Sequence, residues 1–534
     1  MPYDGFVMRR FIDYARKRLI GSYIKNFYFQ KNVIYIAFQD VDLKISLNPS
    51  YSYITFEKRN ISNVVKHHFV DFLRSRVKGG RLKDIITFGF ERTVKFVVEK
   101  VDEIGIAHEY EMYVDIMGKH SNMILVENGV ILDAYRRVKN RFRNIYPGEI
   151  FVFYKSDKIN PYNVSNIKNI EKLYLEVQGF SKITVRELIY RMQFLDFHKA
   201  LKSILRDFEK GCLYVFYQNN VPIEISAFPL NHINAIKKKY CKELENAISD
   251  FFGFVERNNI LKQLKKNLEN IIVKNVVKIE NTLEKINREL QEIKDYEHYR
   301  KYGELLKAYF YQIPIGTKEV ELFDWENNEN IIVPLDPNKD AIENASSYFK
   351  KYNKLKTKLK GLLNRKKYLE KELNYLYQLW YTLEEVDDLN EVEDIKSEME
   401  DVGILKVRKR RKNNVKSEPI KVSFKNHSIY IGKNNKQNDE LVRNSSDEDI
   451  WLHVSGMPGA HVIIKHAGRE ITNDVIEYAA SLAAGYSKGK NSGKVLVDYT
   501  KAKNVRKVKG LKPGMVLYYN YRTIIVNPRR IDDV

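Results

Sequence analysis

The chain has 534 residues, too many for one compact core, and this length predicts roughly three or four domains. Its 91 lysines and arginines outnumber 69 acidic residues, and the formal net charge of +22 favours nucleic acid as a partner, although a generic lysine-rich surface gives the same charge. The sequence has no apolar run of about 18 residues and no signal-peptide core, which excludes a membrane span and predicts a cytoplasmic protein. Two cysteines, Cys212 and Cys241, predict neither a disulfide framework nor a zinc pair, as in a reducing cytosol.

Residues 1–155 are predicted to form an N-terminal α+β domain rich in antiparallel strands. Its strand-like segments are residues 33–38, 43–47, 110–116 and 122–126. Pro147-Gly148 marks the end of this domain.

Residues 160–235 predict a region of short helices, with amphipathic segments at 183–194 and 197–210. The tetrad Gly179-Phe180-Ser181-Lys182 precedes the first of them. Such a turn either contacts a phosphate backbone or simply connects two helices, and the sequence leaves both readings open.

Residues 236–385 carry the pattern of a long antiparallel coiled coil. Apolar residues recur in alternating steps of three and four, the seam of a left-handed coiled coil. The first run contains Val276, Ile279, Leu283, Ile286, Leu290 and Ile293, and the second contains Tyr352, Leu355, Leu359, Leu362, Leu369, Leu373, Leu376 and Trp380. Between them, residues 313–337 predict a small β-hairpin tip. Two separate bundle helices are the alternative.

A charged hinge is predicted at residues 386–417, where acidic residues up to 401 are followed by a basic run at 406–416. Blocks of like charge are usually solvated and flexible, and the basic run is also a candidate RNA contact. Residues 418–534 predict a C-terminal α+β domain. Its expected elements are strands at 429–431, 462–464 and 495–497, a helix at 474–485, and a hairpin formed by 515–519 and 521–526.

Two segments of the C-terminal domain carry candidate RNA-binding residues. The expected loop 432–441 offers the ammonium of Lys433 and the amides of Asn434 and Asn435 to phosphate. Asp449, Trp451 and His453 alternate and therefore share one face of a strand, where indole and imidazole rings can stack on a base. The structural alternative places Trp451 in the core and has Asp449 orient His453.

His461 completes the set of RNA-binding candidates. The spacing of His453, His461 and His466 matches no standard ligand pattern, and no cysteine is near. We therefore expect neither a metal nor a cofactor.

Motifs along nearly the whole chain resemble the RqcH/NEMF (NFACT) ribosome quality-control family, and its bacterial RqcH members in particular. The N-terminal motifs are YDG at residues 3–5, SLNPSYSYITF at 46–56 and DIMGKHSNMILV at 115–126. The arm contributes YGELLKAY at 302–309 and LDPNKDAIENASSYFKKYNKLK at 335–356. The C-terminal motifs are GKNNKQNDEL at 432–441 and DIWLHVSGMPGAHVIIK at 449–465. On this resemblance, the N-terminal domain is of the NFACT-N type, residues 160–235 are a helix-hairpin-helix region, and residues 418–534 are of the NFACT-R type.

The resemblance implies a translation factor with no catalytic residue of its own. Proteins of this family bind a stalled large ribosomal subunit through its rRNA while it carries peptidyl-tRNA. Bacterial members recruit alanyl-tRNA (tRNA-Ala) and promote template-free addition of alanine to the nascent chain, which marks that chain for degradation. The ribosomal peptidyl-transferase centre makes the bonds. A small S4-like protein of the RqcP type is a further implied partner.

The resemblance also points to tRNA-binding residues in the N-terminal domain. The family has an Asp-Arg pair there, and this chain has Glu91-Arg92 at the matching position. Glutamate keeps the charge but moves it by roughly 1.5 Å, the length of one C–C bond, whereas Arg92 keeps its two-pronged geometry for phosphate or a base edge. Lys119 and His120 are further candidates, while Gly118 is expected to serve the turn and Ser121 and Asn122 to cap local backbone.

Three other functions compete with alanine tailing. A ribosome-bound or tRNA-bound sensor without tailing activity is favoured by Glu91. A surface fibronectin-binding adhesin conflicts with the basic charge and the lack of a signal peptide. A DNA glycosylase would use the amine of Pro2, but Tyr3 stands where such enzymes have glutamate and no zinc finger is present.

Overall fold

The computed structural model describes residues 3–60, 64–139, 143–153, 156–165, 169–406 and 417–531. The chain forms two compact units, Met1–Asn259 and Ile260–Val534. In the part of the chain that is described, no helix is both long enough and apolar enough to cross a membrane. Pro2, on which the glycosylase alternative depends, and residues 407–416 of the basic run lie outside the described residues.

The two largest sheets of the first unit are antiparallel, and their strands pair in chain order. Helix α1 (Gly5–Leu19) is followed by β1 (Asn26–Gln30), β2 (Val33–Ala37), β3 (Asp42–Leu47) and β4 (Ser52–Phe56), which form the first sheet. After α2 (His68–Val77), the second sheet comprises β5 (Arg81–Thr87), β6 (Thr93–Val101), β7 (Ala107–Asp115), β8 (Asn122–Glu127) and β9 (Val130–Ala134). A short hairpin of β10 (Val138–Lys139) and β11 (Asn144–Ile145) follows. The four strands predicted from alternation are confirmed.

The core of this unit forms around α1. Its apolar residues Phe6, Val7, Phe11 and Ile12 are at most 1% exposed. Arg16, Lys17 and Arg18 lie in its last turn, near the negative end of the helix dipole. Phe11 meets Phe56 of β4 edge-on at 5.3 Å between ring centroids. Burial of this face fixes α1, and with it the residues just before the helix.

Residues 173–240 combine helices with a sheet that the sequence did not predict. Helices α3 (Leu173–Glu176), α4 (Lys182–Met192) and α5 (Phe197–Glu209) are followed by β12 (Leu213–Gln218), β13 (Val221–Ser226) and β14 (Ile236–Tyr240). The helices expected at 183–194 and 197–210 are confirmed, whereas the purely helical interpretation of this region is wrong. The strands pair in the order β13-β12-β14.

Cys212 and Cys241 are joined by a disulfide bond, contrary to the prediction. The pairing of β12 with β14 places Leu213 opposite Tyr240, so the two cysteines lie side by side just beyond the last pair. Local sequence could not reveal this contact, because the pairing brings together residues 29 positions apart.

The predicted arm is confirmed as an antiparallel helical hairpin. It contains α6 (Leu244–Glu292), α7 (Glu297–Ala308) and α8 (Ala341–Glu385). Contacts from Glu280 to Tyr377, from Glu289 to Lys358 and from Tyr296 to Tyr352 run in opposite directions along the two legs. All of the predicted seam residues are buried or half-buried. The alternative of two separate bundle helices is therefore wrong.

The tip is the predicted β-hairpin. Strands β15 (Glu319–Asp324) and β16 (Glu329–Pro334) pair antiparallel, and Asn328 takes a positive φ of 55° in the turn between them. Leu305, Leu322 and Val333 form the centre of its own small core. Lys301 is held 2.6 Å from the buried carboxylate of Asp324, which ties α7 to the hairpin.

The acidic half of the predicted hinge is a packed helix, α9 (Leu389–Asp401). Val392, Ile395 and Met399 recur at helical spacing and are buried against Leu379 and Leu383 of α8. The expectation of a flexible acidic segment is wrong here, because this apolar stripe outweighs the charge of the opposite face.

The remaining residues form a six-stranded antiparallel sheet with helices. The elements are β17 (Ile420–Phe424), β18 (His427–Ile431), α10 (Asn435–Arg443), β19 (Ile450–Val454), β20 (Val462–Ile464), α11 (Asn473–Gly485), β21 (Val495–Lys501), β22 (Val505–Arg506), β23 (Leu517–Tyr518) and β24 (Arg522–Val526). The sheet order is β17-β18-β20-β19-β21-β24, and the small residues of α11 let that helix pack closely on it.

Two expectations for this region are corrected. The expected loop at 432–441 is largely helix α10. The expected hairpin of 515–519 with 521–526 does not form, since β23 pairs with β22 while β24 pairs with β21. The other predicted strands and the helix at 474–485 are confirmed.

Candidate nucleic-acid interface

Glu91 and Arg92 lie in the loop that connects β5 to β6. The ring of Phe90 anchors this loop in the core, with centroids 4.6 Å from Phe6 and 5.4 Å from Phe208. The carbonyl of Arg92 accepts a hydrogen bond from the Ile116 N–H at 2.8 Å. Glu91 and Arg92 are thus partly buried residues of a loop.

The side chain of Arg92 experiences both burial and negative charge. Burial lowers the pKa of its guanidinium, and the carboxylates of Asp4 and Glu91 oppose that shift. Oε1 of Glu91 is buried and lacks a hydrogen-bond partner of good geometry among the described residues. A buried acceptor without a partner is costly, so Glu91 is suited to receive a donor from a ligand.

Arg92 opens into a cleft of about 710 Å³ within the first unit. Three further cations line it: Lys158, whose Nζ donates to the Tyr174 carbonyl at 2.9 Å, and the exposed Lys182 and Arg186. Glu224 also lines the cleft, and burial raises the pKa of its carboxyl to about 7. The net positive lining suits a phosphate backbone, and Glu224 makes that charge dependent on pH.

The YDG motif builds one wall of this cleft. Asp4 caps α1 by accepting the N–H groups of Phe6 and Val7, and its other oxygen accepts the Ser181 hydroxyl at 3.1 Å. Gly5 packs so tightly that an added Cβ would lie 1.9 Å from the Phe90 carbonyl oxygen and 2.6 Å from the Gly179 Cα. The tetrad at 179–182 therefore packs against the start of α1, and its Ser181 caps α4.

The GKHS turn lies at the same end of the sheet as Arg92. Thr93 of β6 pairs with Asp115 of β7, so the residues before β6 neighbour those after β7. Gly118 has a φ of 60°, and its N–H donates to the Ser52 hydroxyl. Ser121 accepts the Met117 N–H at 2.9 Å.

Asn122 bonds both backbone groups of Arg136, which confirms the expected local roles of Gly118, Ser121 and Asn122. The side chains of Lys119 and His120 are exposed. Their contact with tRNA stays a prediction.

The three candidates around residue 433 are already engaged within the protein. Lys433 pairs with Glu391 at 2.6 Å. Asn434 caps α10 by accepting the Gln437 N–H, and the fully buried Asn435 donates to Glu398 at 2.9 Å. Their contact with RNA stays a prediction, and the burial of both asparagines weighs against it.

Trp451 and His453 share one face of β19, as their alternation predicted, whereas Asp449 precedes the strand. Asp449 is 1% exposed and bonds Lys465 at 2.7 Å and the backbone N–H groups of Ser446 and His466. Burial raises the pKa of Asp449, but these partners outweigh it and leave that pKa below its usual value. The structural alternative is therefore half right: Trp451 lies in the core, whereas no contact between Asp449 and His453 occurs among the described residues.

Four rings form a cluster on the C-terminal sheet. Trp451, which is 1% exposed, lies 5.9 Å from His453, 5.3 Å from His461 and 4.7 Å from Tyr518 between ring centroids. Burial lowers the pKa of His453 to about 4 and that of His461 well below its usual value, so both imidazoles are neutral at pH 7. No group of three potential metal ligands occurs among the residues that the structure describes.

Several residues of these two sites were not predicted from the sequence. Lys158, Arg186 and Glu224 join the cleft from three separate segments, and Tyr518 joins the ring cluster from β23. No local pattern marks them, because long-range packing alone brings them together. Lys182 carried the only signal, as part of the tetrad.

Two family models cover nearly the whole chain. Residues 4–418 match the NFACT N-terminal and middle domains, and residues 420–520 match the NFACT protein RNA binding domain. The fold and both sites lie within these matches, and the chain belongs to the NFACT family. Membership of this family, with its RNA-binding module, supports a role in ribosome quality control with the ribosome and RNA as partners.

Full-length relatives are similar over almost their entire length. The "Rqc2 homolog RqcH" of Bacillus subtilis is 28% identical over 563 residues, which cover 99% of this chain and 98% of the relative. The protein of the same name from Streptococcus pneumoniae is 28% identical over 560 residues with the same coverage. A coiled-coil domain-containing protein 25 homolog from Dictyostelium discoideum is 31% identical over 100 residues, which cover 18% of this chain and 48% of the relative.

Two solved fragments of the fibronectin/fibrinogen-binding protein from Streptococcus suis are also similar. The C-terminal fragment is 29% identical, covers 50% of this chain and 96% of its own length, and has a TM-score of 0.42. The N-terminal fragment is 22% identical, covers 46% of this chain and 97% of its own length, and has a TM-score of 0.41.

Proposed function

We propose that this protein binds a stalled large ribosomal subunit carrying peptidyl-tRNA and recruits alanyl-tRNA for template-free extension of the nascent chain. The added alanine tail marks the chain for degradation. The protein positions tRNA, and the peptidyl-transferase centre of the ribosome forms each peptide bond. A small S4-like protein of the RqcP type is a further partner in this proposal.

The observation that carries the proposal is the position of Arg92. Its guanidinium lines a cleft together with Lys158, Lys182 and Arg186. A guanidinium can hold a phosphate or a base edge with two parallel hydrogen bonds, and partial burial strengthens such a contact relative to one in water. The surrounding lysines supply contacts to phosphate that fix orientation without reading sequence.

The exposed Lys119 and His120 extend this surface beyond the cleft. In the proposal they contact the tRNA backbone, while Glu91 receives a donor from a tRNA base. That assignment is chemically suited to Glu91 because one of its carboxylate oxygens is buried and lacks a partner among the described residues.

Arg92→Ala tests the proposal directly. We expect it to abolish alanine tailing and to leave co-sedimentation with the large subunit largely intact, because rRNA contacts elsewhere in the chain persist. Arg81→Ala is a matched control, since this exposed arginine begins β5, roughly 20 Å along the strand from the loop. Mass spectrometry of nascent chains on purified subunits measures the tails. Tailing that survives Arg92→Ala would show that the site is assigned wrongly.

A second candidate function is a ribosome-bound and tRNA-bound factor that recruits other proteins without tailing. Glu91 favours it, because the longer side chain displaces the carboxylate by roughly 1.5 Å, the length of one C–C bond. The same mass spectrometry separates the two functions. Subunits that co-purify with the protein but carry untailed chains support the second.

A further inference from the structure

One edge of the C-terminal sheet carries a strongly basic segment with exposed aromatic and apolar side chains. Residues 499–526, which contain β22, β23 and β24, include seven lysines or arginines and no acidic residue. Leu517, Tyr519, Tyr521 and Ile525 of this segment are 40–60% exposed. Positive charge interleaved with exposed rings is typical of surfaces that bind single-stranded nucleic acid.

The exposed rings of this segment lie close to two of its arginines. The guanidinium of Arg506 lies 5.6 Å from the centroid of the Tyr519 ring. Tyr521 meets the ring of Tyr518 edge-on, with centroids 5.1 Å apart, and the exposed Arg522 follows it directly in the chain. We call Arg506, Tyr519, Tyr521 and Arg522 the tyrosine surface.

The cations of the tyrosine surface are not neutralised by carboxylates. Other lysines of the segment are paired within the protein, among them Lys507, which lies 2.9 Å from Asp439. Arg506, Lys509 and Arg522 are exposed, and they form no ion pair with any residue that the structure describes. Their charge is therefore available to the phosphates of a ligand.

The tyrosine surface also offers rings on which a base can stack. Tyr519 and Tyr521 are 40% and 52% exposed, whereas Trp451 of the ring cluster is 1% exposed. The two tyrosine rings are thus accessible to a base, and the indole of Trp451 is not. In a duplex the bases stack on one another, so exposed rings of this kind select single strands.

We infer that the tyrosine surface binds single-stranded RNA, with bases stacked on Tyr519 and Tyr521 and phosphates at Arg506 and Arg522. Stacking on a tyrosine is tolerant of sequence, because every base has a flat aromatic face. The inference rests on the proposed function for RNA as the partner, and it adds a second contact surface to the cleft at Arg92.

Fluorescence anisotropy of end-labelled octauridine with the full chain tests the stacking contact. Tyr521→Ala should weaken binding by at least roughly fivefold, as expected for the loss of one base–aromatic stack. Tyr521→Phe keeps the ring and should retain the affinity, whereas Tyr521→Leu should not. An abasic octamer with the same number of phosphates should bind the wild type and Tyr521→Ala equally. Tyr311→Ala is the matched control, because Tyr311 is 86% exposed but precedes the tip hairpin, and it should leave binding unchanged.

Two further measurements test the phosphate contact and the location. Arg522→Gln should reduce the slope of log affinity against log salt for octauridine by about 0.7, the value for one phosphate of a single strand. Arg365→Gln, at an exposed arginine of α8, should leave that slope unchanged. Photo-cross-linking of an octamer that carries 4-thiouridine, followed by mass spectrometry of the peptides, should place cross-links within residues 499–526.

Several results would overturn the inference. Full octauridine binding by Tyr521→Ala would do so, as would an equal loss for the abasic octamer, cross-links confined to other segments, or no measurable binding by the wild type. A polyglutamate peptide that binds as tightly as octauridine, and loses affinity in Tyr521→Ala, would reassign the surface to an acidic protein. In each of these cases, wild-type protein that co-sediments with large subunits leaves the proposed function standing. Failure of the wild type to co-sediment would instead refute the proposed function itself.

Discussion

Glu224→Gln should stabilise the first unit at pH 8 and have little effect at pH 5. Burial raises the pKa of Glu224 from 4.5 to about 7, so the folded protein holds this proton more tightly than the unfolded chain does. The favourable contribution of the protonated carboxyl is complete below pH 4.5 and is lost as the pH rises through 7. This rise of the pKa from 4.5 to about 7 corresponds to about 3 kcal/mol in the free energy of unfolding. Because Glu224 keeps some contact with solvent, we expect about 1–3 kcal/mol at pH 8.

Two optical signals isolate this effect. The three tryptophans, Trp325, Trp380 and Trp451, all lie in the second unit, so their fluorescence follows the unfolding of that unit only. Far-UV circular dichroism follows both units. The substitution should move the dichroism transition at pH 8 and leave the fluorescence transition in place.

Glu103→Gln, an exposed change in the same unit, should move neither transition. An equal effect of Glu224→Gln at pH 5 and pH 8, or destabilisation at pH 8, would refute the reasoning.

Three further predictions follow from the first unit and from the charge of the chain. Gly5→Ala should destabilise the first unit by about 1–3 kcal/mol in thermal melts, because the added Cβ meets backbone atoms of Phe90 and Gly179. Gly253→Ala, in an open part of α6, is the control and should be neutral or stabilising. Glu91→Asp should increase tailing in a reconstituted assay if the longer side chain limits activity, and unchanged tailing would remove that explanation. The affinity for rRNA should fall steeply between 50 and 200 mM salt, by roughly 10³-fold if about six phosphates are contacted, and a flat profile would contradict phosphate binding.

Patterns of local periodicity predicted the strands, the coiled coil and its tip. These patterns did not predict helices whose buried face is polar. Helix α10 buries Asn435, Gln437 and Asn438 at 3% exposure or less, so no apolar stripe marks it in the sequence. In α9 the stripe is present, but the surrounding acidic residues concealed it.

Pairings between distant segments were equally invisible from the sequence. β23 joins β22, and Cys212 meets Cys241, through contacts that no neighbouring residue encodes. For the candidate sites, the family motifs located Arg92 and Trp451. The cations around Arg92 and the ring of Tyr518 beside Trp451 depend on packing.

The hairpin at the tip fixes which residues of the two legs of the arm lie opposite each other. Because α8 begins just after β16, each residue of α8 faces a partner fixed by its distance from that hairpin. One extra residue within α8 would rotate everything after it by about 100° and shift it by about 1.5 Å. Leu376 would then leave the seam, and Leu379 and Leu383 would lose their packing against α9. We therefore expect changes of length to be tolerated in the turn at Asn328, and the helices to change length only by matched additions to both legs.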